Sequence, residues 1–366
     1  MEQKVVTFTP NPNSAVNKPD CGYGHACSFC KEEATCTRDK SNHNKQLSEA
    51  RLAQIGQIII VLANKGGVGK STVAANLAAG LARRGFRVGL GDADIHGPNA
   101  AQFFGQQGER VKITARGIRP RRYRSPDQQS EVRIGSLGFF LPETDAPVVW
   151  RDAYKFDYIH HLVGSYDWGE LDFWVIDMPP GTGNELITLC DILEGSNLSA
   201  VLVTTPQAVA LLDSLKAARF CRERGVPVLG MVENMAGMAC PHCGNEIQLF
   251  PRDSMADTLH EAGIKTLAQL PLSPQLAFAS DAGGPIVDQA PDSIEASAFM
   301  TLAEACIDKA ARDESLLMEQ QLAAVLDAPE QLAAIEEALG NEPEAAALRD
   351  QIQSVLQQEQ ARFKQL

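Results

Sequence analysis

Residues 58–72 read Ile58-Ile59-Ile60-Val61-Leu62-Ala63-Asn64-Lys65-Gly66-Gly67-Val68-Gly69-Lys70-Ser71-Thr72. The first six are apolar and mostly β-branched, the text of a buried strand, and the residues after Lys70 have helical spacing. Between them lies a glycine-rich turn. A strand, a glycine turn and a helix start in that order form a phosphate cradle. The backbone N–H groups of Gly66, Gly67, Val68 and Gly69 can converge on phosphate oxygens, Lys70 brings positive charge, and the Ser71 hydroxyl, followed by Thr72, is placed to ligate Mg2+ at the helix N-terminus. The usual pattern has glycine six positions before the lysine; here that position is Asn64, and an extra lysine, Lys65, follows it.

The rest of the chain is consistent with a large wound domain around that loop. With 366 residues and 44% hydrophobic content, it can bury a sizeable core. The formal charge of -13 argues against a protein built to coat nucleic acid or an anionic membrane. Residues 1–20 hold no apolar run of signal-peptide length, and no later run is long enough to cross a bilayer, so a cytoplasmic location is expected. Nine cysteines in such a chain are expected to stay reduced, and clustered ones point to metal.

Short β-rich runs at 58–63, 86–91, 172–177, 199–204, 226–233 and 266–270 alternate with helical text. That alternation predicts an α/β fold: a wound, mostly parallel sheet with helices on both faces. The stretch 108–139 breaks the rhythm and reads as an irregular excursion or hairpin. It carries a basic cluster, Arg110, Lys112, Arg116, Arg119, Arg121, Arg122 and Arg124, expected to be a solvated face. Residues 1–56 read as a short cysteine-rich segment ordered by metal, 57–306 as the nucleotide domain, and 307–366 as an acidic helical extension. The last part has twelve acidic against five basic residues, with Leu332, Ile335 and Leu339, then Leu348, Ile352 and Leu356, at helical spacing around Gly340 and Pro343.

Two further segments complete a nucleotide site. The second strand runs into Asp92-Ala93-Asp94 at the carboxyl edge of the sheet, where Asp94 is a candidate to orient the attacking water. Phe173-Trp174-Val175-Ile176-Asp177 is a strand ending in a Mg2+-holding carboxylate, and Met178-Pro179-Pro180-Gly181-Thr182-Gly183 after it can sense the γ-phosphate.

The cysteines form two sets. Cys240-Pro241-His242-Cys243 supplies two thiolates, and either zinc or an iron–sulfur cluster wants four, so the missing pair comes from elsewhere in the chain or from a second copy. Cys21, Cys27, Cys30 and Cys36 are a full set of four within 16 residues. Zinc is the alternative metal at both sets, and His25 is a possible substitute for Cys21. Cys190, Cys221 and Cys306 lie in helical text and are expected to pack as small apolar groups.

The loop Lys65-Gly66-Gly67-Val68-Gly69-Lys70-Ser71 resembles the deviant P-loop of the ATPase class that includes MinD, ParA and nitrogenase iron protein. Across about 57–300 the chain resembles the Mrp family of iron–sulfur cluster carriers: NKGGVGKST at 64–72, DADIHGPN at 92–99, VVWRD at 148–152, DMPPGTG at 177–183, TTPQ at 204–207 and VENMAGMACPHCG at 232–244. His96 stands where the family often has Tyr or Cys, and Trp150-Arg151-Asp152-Ala153-Tyr154 replaces the usual Trp-Arg-Gly-Pro. The resemblance implies a slow ATPase acting as a homodimer, with Lys65 reaching phosphates bound by the partner subunit and Asn234 contacting adenine. It implies one 4Fe-4S cluster shared by the Cys240 and Cys243 pairs of two subunits, and one per chain at the amino-terminal quartet. Apo iron–sulfur proteins are then the recipients, with no nucleic-acid or membrane partner. Two rival readings are a nitrogenase-iron-protein-like reductase and a ParA-like positioning ATPase.

Overall fold

The computed structural model describes residues 21, 23–141, 152–240, 242–243, 245–250 and 255–326. Among them, twelve strands form: β1 (Ile55–Leu62), β2 (Val88–Asp92), β3 (Lys112–Thr114), β4 (Gly117–Arg119), β5 (Arg121–Arg124), β6 (Glu131–Gly135), β7 (Leu171–Asp177), β8 (Leu198–Thr204), β9 (Val228–Asn234), β10 (Met238–Ala239), β11 (Glu246–Ile247) and β12 (Thr266–Leu270). Eight of these build one sheet in the order β12-β9-β8-β1-β7-β2-β6-β5, in which only β5 runs antiparallel to its neighbour. The wound parallel sheet read from the sequence is the observed one.

Every residue of β1 is buried, as a central parallel strand covered on both faces requires. Alternation divides its side chains between two layers. Ile58, Ile60 and Leu62, with Trp174 and Ile176 of β7, join Tyr158, Leu162, Leu186, Leu189 and Leu211 in one core. The alternate residues Ile59, Val61, Phe173 and Val175 are equally buried and face the other side, where the helix Lys70–Arg83 lies against β1, β2 and β7. Trp168 and Trp174 fill the first core beneath β2. A Cβ at Gly89 would sit 2.7 Å from Leu171 and 3.0 Å from Trp174, so glycine there leaves room for these side chains to pack closely against β2.

The stretch 108–139 is more regular than the expected excursion. It makes a short hairpin, β3 with β4, and then contributes β5 and β6 to the main sheet, β6 pairing parallel with β2. Its basic cluster is matched by acids of the chain itself: Arg121 to Glu109 at 2.9 Å, Arg122 and Arg124 to Glu131 at 3.2 and 3.1 Å, and Arg116 to Asp167 at 3.6 Å.

The amino-terminal segment is also packed, not merely awaiting metal. The helix Lys40–Leu52 is capped by Asp39, whose carboxylate accepts from the N–H groups of Ser41 and Asn42 at 3.0 and 3.1 Å. It buries Leu47 and Ser48 against the π-helical turn His161–Ser165, and Arg51 pairs with Asp167 at 2.8 Å in a half-buried setting. Apolar burial and polar contacts with the sheet domain therefore order residues 23–54.

The chain divides into two compact units at Asp308 and Lys309. The described part of the second unit is helical through Leu326. The expected helices around Gly340 and Pro343 lie outside the described residues, as does most of the motif 148–152. No described helix is long and apolar enough to cross a membrane.

Candidate functional site

The turn after β1 brings the phosphate cradle to the carboxyl edge of the sheet. Gly69, at φ +87°, caps the helix Lys70–Arg83 in the left-handed region, and a Cβ there would fall 2.1 Å from the Asn234 amide nitrogen. Glycine is required on both counts. Gly66, Gly67 and Lys65 are exposed, and nothing lies within 4 Å of a Cβ built on either glycine, so this part of the loop is open to a ligand. Lys70 is buried. Its Nζ lies 2.5 Å from Asp177 Oδ1, 3.9 Å from Asp94 Oδ2 and 3.4 Å from Ser71 Oγ. The structure thus brings together Lys70, Ser71, Asp94 and Asp177, while Lys65 is exposed to solvent outside this cluster.

The sequence reading gave Asp92 no role, yet it is the most enclosed carboxylate of the site. Its oxygens accept from the N–H groups of Asp94 at 3.2 Å and Ala100 at 3.0 Å and from the Ser136 hydroxyl at 2.9 Å. Those bonds tie the loop 93–99 to β2 and to the turn after β6. Burial, and then repulsion from Asp177, pushes the Asp92 carboxyl up to about 7. Asp177 is pushed the same way by its own burial, against the opposing pull of Lys70 and Ser71. A divalent cation fits this pocket: Asp177 and Ser71 offer it oxygen ligands, and its charge would relieve two crowded carboxylates.

The raised Asp92 pKa has a defined consequence. The folded protein holds that proton more tightly than the unfolded chain, so the stabilisation is complete below the unfolded value near pH 4 and lost as pH rises through about 7. Measured without nucleotide, the parent protein should lose stability relative to Asp92→Asn across that window, by at most about 1.4 kcal/mol per pH unit. Denaturant titrations of both at pH 5 and pH 7.5 check this, and parallel pH slopes would exclude it.

β9 ends at Asn234. The Asn234 side chain donates to the Val68 carbonyl at 2.8 Å, fastening the end of β9 to the phosphate loop. Met235 follows with φ 57°, a left-handed conformation that costs a non-glycine residue roughly 1–3 kcal/mol. The chain then enters the β10–β11 hairpin, which carries Cys240, half-buried, and Cys243, exposed, and is closed by Cys240 N–H to Asn245 C=O at 2.8 Å. The N–H groups of His242 and Cys243 favour the Cys240 thiolate and draw its pKa down.

All four amino-terminal cysteines are half-buried in one neighbourhood. The Cys27 thiol is raised by burial and then by the nearby sulfurs of Cys36, Cys21 and Cys30, with Lys40 opposing. Among the described residues no three His, Cys, Asp or Glu side chains are drawn close enough to hold a single metal ion. His25 is buried, stacks on Tyr23 at 5.2 Å and turns Nδ1 to the Ala26 carbonyl at 3.3 Å. The histidine beside the quartet's first member is His43, which sequence reading passed over: its Nδ1 lies 3.2 Å from Cys21 Sγ and its Nε2 3.2 Å from the His25 carbonyl.

Sheet order, phosphate loop and paired carboxylates together define a P-loop NTPase of the ParA and MinD type. The sequence profile of the NUBPL iron-transfer P-loop NTPases matches residues 54–307, and the chain belongs to that family. An iron–sulfur cluster carrier protein of Aquifex aeolicus is 43% identical over 252 residues, which is 68% of this chain and 67% of that protein. The cytosolic Fe-S cluster assembly factor NBP35 of Eremothecium gossypii is 37% identical over 314 residues, 84% of this chain and 92% of its own length. A solved nucleotide-binding protein from Archaeoglobus fulgidus, in complex with ADP, superposes with a TM-score of 0.56 at 33% identity, covering 65% of this chain and 91% of that one.

Proposed function

We propose that this chain is a homodimeric, cytoplasmic ATPase that carries iron–sulfur clusters and delivers them to apoproteins, with ATP binding and slow hydrolysis as the switch. The observation that carries this reading is the Asn234 junction. One residue fastens to the phosphate loop, and six positions later the chain presents Cys240. Movement of the loop around a nucleotide would be passed through the strained Met235 to the hairpin that bears the cluster ligands.

In this scheme Lys70 leaves Asp177 for the phosphates, and Ser71 and Asp177 would hold a Mg2+ ion, which would supply neutralising charge to the phosphates. Asp94 orients the attacking water, Asn234 contacts adenine, and Lys65, exposed on the open side of the loop, reaches phosphates held by the partner subunit. Cys240 and Cys243 of two subunits share one four-iron cluster as cargo, and Cys21, Cys27, Cys30 and Cys36 hold one in each chain. The names of the relatives and the gathering of both cysteine sets beside a nucleotide domain support this reading.

Asp94→Ala and Asp177→Ala test it. Both variants should load clusters in anaerobic reconstitution yet transfer them to an apo four-iron acceptor at least about tenfold more slowly with Mg2+ and ATP present. Transfer at the parent rate in both would remove ATP as the switch, although the carrier role itself could stand.

A further inference from the structure

The helix Asp152–His160 and the π-helical turn His161–Ser165 that continues it touch both functional regions of the chain. At its nucleotide end, the Tyr158 hydroxyl donates to the Asp92 carbonyl at 2.8 Å and also lies against the Leu137 N–H. Lys155 pairs at 3.6 Å with Glu185, in the first turn after the Gly181–Gly183 loop, and both side chains are largely shielded. This helix therefore contacts the end of β2, where the loop bearing Asp94 begins, and the first turn after the Gly181–Gly183 loop expected to sense the γ-phosphate.

At the other end, one turn further on, the same element holds the amino-terminal cysteine motif. His161 Nε2 lies 3.1 Å from Ser28 Oγ, between Cys27 and Cys30, and His161 Nδ1 lies 3.1 Å from Ser165 Oγ, which accepts from Ala26 N–H at 3.2 Å. With Ser165 Oγ taking the Ala26 proton, its own hydroxyl proton can point at Nδ1, which places the ring proton on Nε2, facing Ser28. Burial drives the His161 pKa down to about 4, so the ring is neutral at physiological pH and makes both contacts without charge. The backbone here is also unusual. π-helical turns are rare, weakly held insertions that gather at functional sites, and this one sits where the helix meets the Cys27–Cys30 turn.

We infer that His161 is a positioning residue for the Cys27–Cys30 turn, and that the helix carrying it links that turn to the nucleotide site of the same chain through Tyr158 and Lys155. This rests on the reading of Cys21, Cys27, Cys30 and Cys36 as a cluster site only for what the link regulates. The link itself is a property of the protein with or without iron. It is distinct from the Asn234 route, which acts on the other cysteine pair.

Hydrogen exchange on the full-length, iron-free protein tests the link. Adding Mg2+ with a slowly hydrolysed ATP analogue should change exchange at the amides of residues 25–30 by at least about fivefold in the parent. Tyr158→Phe should abolish that change while still binding the analogue. Lys155→Gln, which leaves the buried hydroxyl intact, serves as a second variant should Tyr158→Phe fold poorly, and should weaken the change in the same direction. No nucleotide response at 25–30 in the parent, or a full response in both variants, would overturn the inference.

The positioning role has its own readout. In a Cys240→Ala, Cys243→Ala background, chelators should strip iron from His161→Ala several-fold faster than from the parent, and His161→Gln, which keeps a side-chain donor, should recover part of the difference. Equal stripping rates in all three would deny His161 that role. A protein that takes up no iron at the quartet would refute the cluster reading while leaving the exchange result to stand or fall separately.

Discussion

Lys70→Ala is expected to raise the dissociation constant for ATP by roughly 10- to 100-fold, whereas Lys65→Ala should bind ATP within a few-fold of the parent and lose hydrolysis by roughly 10³-fold. The two lysines sit in one loop but in opposite surroundings. Lys70 is buried among Asp177, Asp94 and Ser71, and in the proposed scheme its charge would meet phosphate held by its own chain. Removing a charge-assisted hydrogen bond of that kind costs about 1.5–3 kcal/mol, and a tenfold change in affinity corresponds to about 1.4 kcal/mol. Lys65 is exposed, and a cation supplied across an interface acts mainly on the transition state, where such groups are worth about 10³ or more in rate. Mixing separates the two roles. A heterodimer of the two variants contains one site with an intact Lys70 and an intact partner Lys65, and it should recover hydrolysis at that site. Heterodimers that form and stay inactive would contradict the assignment of Lys65 across the interface.

The second large effect concerns iron. Replacing Cys27 and Cys30 by Ala should remove about two four-iron clusters per dimer, and replacing Cys240 and Cys243 should remove about one, because the proposed scheme completes the first set within a chain and shares the second between two. Each variant should keep the clusters of the other site, since the quartet is seated on the His161–Ser165 turn and the pair is carried on the β10–β11 hairpin. Iron and sulfide counts on each variant decide it. Equal iron depletion in the two, or zinc in either site after anaerobic preparation, would contradict the division.

The parts of this architecture that sequence made legible are those where burial leaves a periodic mark. The central strands were most readable because parallel strands covered on both faces become unbroken apolar runs, as in Ile58–Leu62 and Phe173–Ile176. β6 escaped because it has a different look. In Glu131-Val132-Arg133-Ile134 only alternate residues are apolar, and the turn-rich, basic text before it hid that period of two. The order of the amino-terminal segment was hidden for a related reason: it rests on a few contacts such as Ala26, Leu47 and the Arg51–Asp167 pair, too sparse to form a pattern.

At the site, glycines and lysines in the phosphate loop were legible because phosphate binding fixes their spacing. Asp92 and Asp94 were both visible as carboxylates after a strand, but only the fold shows that one is enclosed and braces the loop while the other faces Lys70. His43, Tyr158 and His161 carry no spacing of their own. Each gains its role from a partner far along the chain, respectively Cys21, Asp92 and Ser28.

What the two cysteine sets hold is central to the carrier function, and anaerobic purification with iron, acid-labile sulfide and zinc quantified together tests it most directly. Equal iron and sulfide, at about twelve of each per dimer with zinc negligible, is the result expected of three four-iron clusters. Stoichiometric zinc without sulfide would contradict the carrier reading, and would make this chain a nucleotide-binding protein with structural metal sites.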